Sequence, residues 1–588
     1  MSEERNKDIV YFGRTDFRNE DKLFGIKRKD RRQHMYVIGK TGTGKSVLLE
    51  NLIAQDIRNG DGLAVVDPHG ELVESILKMI PADRKDDVVY FNPSDTNWHI
   101  GFNPLEVTNP EHKHLVASGL MGIFTKIWAN VWSARMEYIL NNAVLALLDT
   151  PGSTLLGITR ILVDKDYRQK VINNVKDPVV RSFWVNEFEE WQDKFRNEAI
   201  APIQNKVGQF LSTALIRNVV GQPTSTIDIF DMMNSKKIFL VNVSKGRIGE
   251  DNSALLGAML ITKIQLAAME RVRILEEDRK DFYLYVDEFQ NFATDSFASV
   301  LSEARKYRLN LIIAHQYVGQ LVTDMSTKVR DAVFGNAGTL ITFRVGASDA
   351  EFLEKEFSPE FDIQDIVNLP NYHIYLRLMV DGVSRRPFSA KTLPPFKPPV
   401  HALTEQEIID LSRQRYARNR RDVETLINKW AGGDGAVEEG ESGSAPVKLK
   451  KTKDGEFIKA ACSVPGCERV AKLRFAPDPN RPVYCSPHLE ALENGEIEPV
   501  KVLRAPSEER LEQALGGLAA LGIEFEPGSG KSKKKKRKRR RGKKKGGDRP
   551  AEVSLSSLSS PANEKKVAET DKKEAVDKEE LRKILSGE

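Results

Sequence analysis

Cysteine is nearly absent: the 588 residues contain three, all between Cys462 and Cys485. That excludes a disulfide framework, so a chain of this size must hold itself together by burying apolar surface. Long hydrophobic runs are missing as well. No window approaches the roughly 20 uninterrupted apolar residues needed to cross a bilayer, and the first ten residues, MSEERNKDIV, lack the basic start and apolar stretch of a signal peptide. The expectation is a cytoplasmic protein with no transmembrane segment of its own, reaching the inner face of a membrane only through partners. A general positive field is missing too. Residues 531–545, KSKKKKRKRRRGKKK, hold 13 Lys and Arg and no acid, and without them the formal net charge falls from +5 to −8. Any nucleic-acid site in the body must therefore be a local stripe.

What is present is ordinary soluble composition, 40% hydrophobic and 29% charged, in a chain long enough for several domains. Residues 1–33 are a polar, mixed N-terminal segment. A parallel α/β rhythm follows in MYVI (35–38), LAVV (63–66) and VVYF (88–91), short apolar runs separated by helical stretches. The rhythm is lost over about 112–234, which reads as a helical insertion. It resumes at KIFLVNV (237–243), FYLYV (282–286), LNLIIA (309–314) and TLITFRV (339–345). HIYLRLMV-DG-VSRRPFSA reads as a hairpin turning at Asp381-Gly382, and Pro394 to Pro399 end a domain spanning 34–400. Residues 401–449 read as a charged helix and a flexible linker. A small cysteine-bearing unit occupies 450–500, and 501–588 is a largely disordered tail. Within it VDKEELRKIL (576–585) is a short amphipathic stretch suited to a bound helix. No internal repeat is found.

GKTGTGKS (39–46) has Gly39, Gly44, Lys45 and Ser46 at the four fixed positions of a phosphate-binding loop. Glycines let the backbone N–H groups turn inward around phosphates. Lys45 reaches the β and γ phosphates and the Ser46 hydroxyl ligates magnesium, while Lys40, Thr41, Gly42, Thr43 and Val47 complete the cradle. The loop follows an apolar strand and precedes a plausible helix, SVLLENLIAQDIR, the context the mechanism needs. The acid such a loop requires sits at the end of FYLYVDEF: Asp287 holds magnesium and Glu288 polarises the attacking water, so ATP hydrolysis is expected. Between Asp287 and Gln316 the chain reads as a helix and a strand, leaving Gln316 to sense the γ-phosphate. His315 joins that sensor or is a hydrogen-bonded core histidine. In DPHG (67–70), Asp67 and His69 line the site or only shape the turn.

Cys462, Cys467, Cys485 and His488 form two close pairs, with four and two intervening residues, bridged by 17. Four ligands in that pattern suit tetrahedral, structural Zn2+, and RPVYC ahead of the second pair resembles a zinc ribbon. The Lys/Arg tail is suited to sequence-blind attraction to phosphates, though anionic lipid or an acidic protein would also attract it.

Together the phosphate loop, DPHGE (67–71), YVDEFQNF (285–292) and SEARKYRLNLIIAHQ (302–316) resemble the FtsK–HerA superfamily of DNA-pumping motors, most closely the conjugative coupling proteins of type IV secretion systems. The likeness covers roughly 20–395. It implies a RecA-like parallel-sheet P-loop fold with an all-α insertion, and a homohexamer holding ATP between subunits. It also implies DNA as substrate, and secretion-channel or relaxase-type proteins as partners. An arginine from the neighbour would reach the γ-phosphate; by motif position this is Arg305, with Arg344 second. The coupling proteins usually begin with membrane-spanning helices, and this chain departs from them there. A HerA-like DNA-processing motor, or an assembly or regulatory ATPase of a secretion or pilus system acting on protein, are the other readings. Strand preference and direction of movement are not legible in the residues.

Overall fold

The computed structural model describes residues 7–16, 20–295, 297–322, 326–399, 403–431, 458–462, 464, 467, 470–473 and 483–493. The linker at 431–446, apart from residue 431, the Lys/Arg run and the 576–585 stretch lie outside the described residues. The chain divides into two compact units, Met1–Glu441 and Ser442–Glu588.

The first unit is built on one mixed sheet of eleven strands. In chain order they are β1 (Ile9–Thr15), β2 (Leu23–Lys27), β3 (Met35–Ile38), β4 (Gly62–Asp67), β5 (Val88–Phe91) and β6 (Ile238–Asn242), then β7 (Phe282–Val286), β8 (Leu309–His315), β9 (Thr339–Thr342), β10 (His373–Arg377) and β11 (Phe388–Thr392). The spatial order is β2-β1-β11-β10-β9-β3-β8-β7-β4-β6-β5. The seven strands from β9 to β5 run parallel, and the other four join antiparallel. Strands β3, β4, β6, β7 and β8 are buried at every position, as continuous apolar runs covered on both faces must be.

Alternation along β3 divides the core. Met35 and Val37 face one layer with Leu48, Leu49, Leu52 and Ile53 of helix α1 (Lys45–Arg58). Tyr36 and Ile38 face the other layer, with Leu256, Leu260 and Ile264 of helix α2 (Glu250–Glu270) and the helical segment. Helix α2 with its extension to Arg273 is the single described helix long and apolar enough to cross a membrane. Two thirds of its apolar window is buried, which makes it the core helix of this face.

The structure departs from the sequence expectations at two places. The sheet begins within the first 33 residues, because β1 and β2 extend its antiparallel edge. Their outer positions are exposed or half-buried, so the apolar signal is diluted. Helices fill 113–234 as expected. Residues 403–431, however, form two helices, Glu405–Tyr416 and Arg420–Trp430, parted by Ala417–Asn419, which pairs with Trp98–Ile100. The hairpin forms at Asp381-Gly382, both with positive φ (54° and 79°), as a tight type I′ connection requires.

The second unit contains an antiparallel pair, Ile458–Ala461 with Val470–Leu473, and a helix, Ser486–Glu493.

Candidate nucleotide and metal sites

Strand β3 delivers the chain into the loop at Gly39, and α1 starts at Lys45 with Gly44 as its cap in the left-handed region (φ 119°). A β-carbon at Gly39 would lie 2.5 Å from Phe343 Cβ, so only glycine fits there. The first intrahelical bond runs from Leu48 N to Gly44 O. The N–H groups of Lys45, Ser46 and Val47 therefore precede the helical ladder and point out of its positive end, which favours phosphate. Lys40, Thr41, Gly42 and Ser46 are exposed, while Thr43 is buried, its hydroxyl donating to Lys40 O (2.7 Å). Lys45 is nearly buried and donates to Gly39 O at 2.6 Å. Burial lowers its pKa, against the opposing pull of Glu288 and Asp287.

Strand order assembles the rest. β8 lies between β3 and β7, so Gln316, just past β8, stands between the loop and the acid pair. Its side-chain amide donates to Glu288 Oε1 at 2.9 Å. Glu288 has a left-handed backbone (φ 46°), and its Oε2 accepts from Gln290 at 2.6 Å. Gln290 was not singled out from sequence, although it lies in the YVDEFQNF motif. Asp287 is buried, and burial, then the charges of Asp67 and Glu288, push its carboxyl up to about 6.

Asp67 accepts from the backbone N–H groups of His69, Leu72 and Val73, so it shapes the turn into Glu71–Leu77 while adding negative charge beside Asp287. His69 is exposed. His315 is a core histidine: its ring nitrogens meet Tyr36 OH (2.6 Å) and Tyr317 O (3.1 Å), and burial lowers its pKa to about 4. Arg305 lies on a 3-10 turn, Ala304–Tyr307, rather than on the helix expected, because Phe297–Glu303 is short. It precedes β8 and so sits at the opposite end of the parallel strands from Gly39. It is exposed and makes no ion pair among the described residues. Arg344 is instead held within its own chain by Asn371 Oδ1 (3.0 Å) and Leu369 O.

The raised Asp287 pKa has a measurable consequence in protein free of metal and nucleotide. Between pH about 4 and 6 the folded carboxyl binds the proton more readily than the unfolded one, so stability falls as pH rises through that window. Above it, ionised Asp287 costs about 2–3 kcal/mol, since each pH unit is worth about 1.4. Asp287→Asn is expected to raise the thermal midpoint at pH 8, with the gain shrinking as pH falls from about 6 to about 4. An unchanged midpoint at pH 8 would dispose of this burial penalty.

In the second unit, Cys462, Cys467, Cys485 and His488 bring four ligand atoms within 4.8 Å of one another. Cys467 Sγ lies 3.9 Å from Cys485 Sγ, and His488 Nδ1 lies 3.4 Å from Cys462 Sγ and 3.5 Å from Cys485 Sγ. A zinc tetrahedron with ordinary bond lengths has edges of about 3.8 Å (S···S) and about 3.6 Å (S···N). The donor set fits Zn2+ in size and chemistry.

A phosphate loop on a parallel sheet, with a neighbouring acid pair and an intervening strand carrying Gln316, defines a P-loop ATPase. A family model described as the type IV secretion-system coupling protein DNA-binding domain matches residues 23–368. The chain belongs to that family. No curated protein matches it. Similar solved structures include the bacterial conjugative coupling protein TrwBdeltaN70 (15% identity, 69% of this chain and 93% of that one, TM-score 0.48). The plasmid coupling protein TrwB in complex with ADP and Mg2+ is similar too (17% identity, 68% and 92%, TM-score 0.48). A third is VirB4 of Thermoanaerobacter pseudethanolicus (16% identity, 66% and 97%, TM-score 0.47).

Proposed function

We propose that the protein is an ATP-driven DNA translocase of the coupling-protein type, working as a homohexameric ring on the cytoplasmic side of the membrane. The observation that carries the hydrolytic half is the Gln316–Glu288 hydrogen bond. It ties the group suited to sensing γ-phosphate to the group suited to activating water. In this reading the N–H groups of Gly39 to Val47 cradle the phosphates, Lys45 neutralises the β and γ charges, and Ser46 and Asp287 hold magnesium. Bound magnesium supplies charge neutralisation; Glu288 orients the water and takes its proton. DNA as the substrate rests on the family description. The ATPase domain occupies 34–400, extended by β1 and β2, and the helices near 112–234 are its insertion.

Arg305 is the residue assigned to a neighbour's γ-phosphate. Its exposure and its place at the far end of β8 suit delivery to another subunit and not to its own loop. Zn2+ held by Cys462, Cys467, Cys485 and His488 cross-links the second unit, with four protein ligands and no open position. The unit and the 531–545 tail recruit DNA, secretion-channel proteins or relaxase-type proteins.

The experiment measures ATP turnover of the full chain with no DNA and with single- and double-stranded DNA. Stimulation by either is expected, whereas an assembly ATPase acting on protein would show none. In the same series Arg305→Ala should bind ATP, lose the stimulated rate, and recover part of it when mixed with Lys45→Ala. No recovery in the mixture would remove Arg305 from a shared site.

A further inference from the structure

The groups suited to the terminal phosphate all lie on one side of β3. Asp287 and Glu288 directly follow β7 and Gln316 directly follows β8, the strands on that flank. A nucleoside triphosphate lying along the loop with its γ-phosphate toward them carries its base the other way, toward β9 and β10. There the loop meets Tyr372, which immediately precedes β10. A β-carbon at Gly44 would lie 2.9 Å from Tyr372 Cδ1, so the ring touches the loop at the start of α1.

Three features of Tyr372 are not explained by packing. Its backbone is left-handed (φ 66°), a conformation costly for a bulky residue and retained only where the surroundings over-determine it. The surroundings do so: Tyr372 N donates to Thr43 O (2.8 Å), inside the phosphate loop, and Tyr372 O accepts from both Thr392 N (2.9 Å) and Thr392 Oγ1 (3.1 Å). The ring so positioned is nevertheless 47% exposed. A core aromatic would hide that surface, and a turn residue at this φ would be Gly or Asn. The preceding residue, Asn371, is tied by Arg344, whose carbonyl accepts from Lys40 N, so loop and ring are registered to each other.

We propose that Tyr372 is the base-stacking residue of the nucleotide site: its open ring face receives the nucleobase, and its bond to Thr43 sets the ring's position relative to the phosphates. This rests on the ATPase reading. Stacking on an aromatic face is sequence-tolerant and worth about 1–3 kcal/mol per base, so loss of the ring should weaken binding about 5- to 150-fold. It also makes the site indifferent to which purine is bound, unless another group reads the base edge.

The test uses the full chain, with Mg-ATP and Mg-tripolyphosphate as probes in titration calorimetry. Tyr372→Asn removes the ring with a residue that tolerates the left-handed backbone, and Tyr372→Phe keeps the ring. The expected result is an ATP affinity reduced at least fivefold in Tyr372→Asn, with tripolyphosphate affinity unchanged, and near-parental ATP affinity in Tyr372→Phe. An unchanged ratio of the two affinities in Tyr372→Asn overturns the proposal, whether both hold or both fall; a joint fall would make Tyr372 a strut of the loop. Equal loss of ATP binding in Tyr372→Phe overturns stacking in favour of the hydroxyl. If the parent protein binds neither probe, the ATPase reading itself fails.

Discussion

Glu288→Gln is expected to bind Mg-ATP with near-parental affinity and to hydrolyse it about 10²- to 10⁴-fold more slowly, the usual contribution of a positioned general base. The substitution is nearly isosteric, and the site is arranged to accept it. The parent carboxylate accepts from Gln316 Nε2 and Gln290 Nε2, so an amide at 288 would set one N–H against another donor. Gln290 can relieve that by turning its own amide, because its Oε1 is buried without a partner and becomes the acceptor needed. The loop should then stay folded and only proton transfer should be lost. Binding is read by calorimetry and turnover by phosphate release. Hydrolysis at near the parental rate would take Glu288 out of its assigned role, and loss of binding as well would mean that its charge holds the loop together.

The second large effect is on stability and is confined to the C-terminal unit. Zinc should measure close to one per chain, and Cys485→Ser should release it. Cys485 is buried, lies within ligand distance of Cys467 and His488, and its N–H points at Cys462 Sγ (3.4 Å), so its loss opens the centre of the cluster. Structural zinc contributes on the order of 10 kcal/mol to the folding of small peptides. Little else stands against unfolding where one strand pair and one short helix make up the described structure. Hydrogen exchange over 458–493 should become fast while basal ATP turnover persists, since the sheet has its own two-layered core. A zinc-free parent with slow exchange over 458–493 would exclude the metal. Loss of turnover in Cys485→Ser would show that the unit does more than recruit.

Much of the nucleotide site was legible because its parts are contiguous. Gly39 to Val47 form one turn and one helix start, and Asp287-Glu288 follow directly from a five-residue apolar strand, so local backbone rules suffice to place them. The cysteine pairs were legible for the opposite reason: in a chain otherwise without cysteine, their spacing stands alone. Strands β1 and β2 were missed because edge strands leave one side open and mix exposed with buried positions. The break at Ala417–Asn419 was missed because those residues are held extended by pairing with Trp98–Ile100, more than 300 positions earlier, which overrides their helical surroundings.

By itself, then, the sequence determined which side chains are available to the protein: the glycine-rich loop Gly39 to Ser46, the adjacent acids Asp287 and Glu288, three cysteines spaced with a histidine, and a parallel sheet to carry the loop and the acids. Only the tertiary structure decided which side chains meet. Gln316 reaches Glu288 because β8 inserts between β3 and β7, an order that no local pattern encodes. His315, next to Gln316, is turned away into the core by Tyr36. Among the described residues Arg305 makes no ion pair while Arg344 is tied down, though both are arginines beside a strand. Tyr372, more than 300 residues later in the chain, reaches the phosphate loop because β9 pairs with β3 and β10 with β9 on that flank. The physical reason is common to all four. Strand residues alternate faces and strand ends project from one edge by local rules, but which strands are neighbours is fixed by packing over the whole sheet.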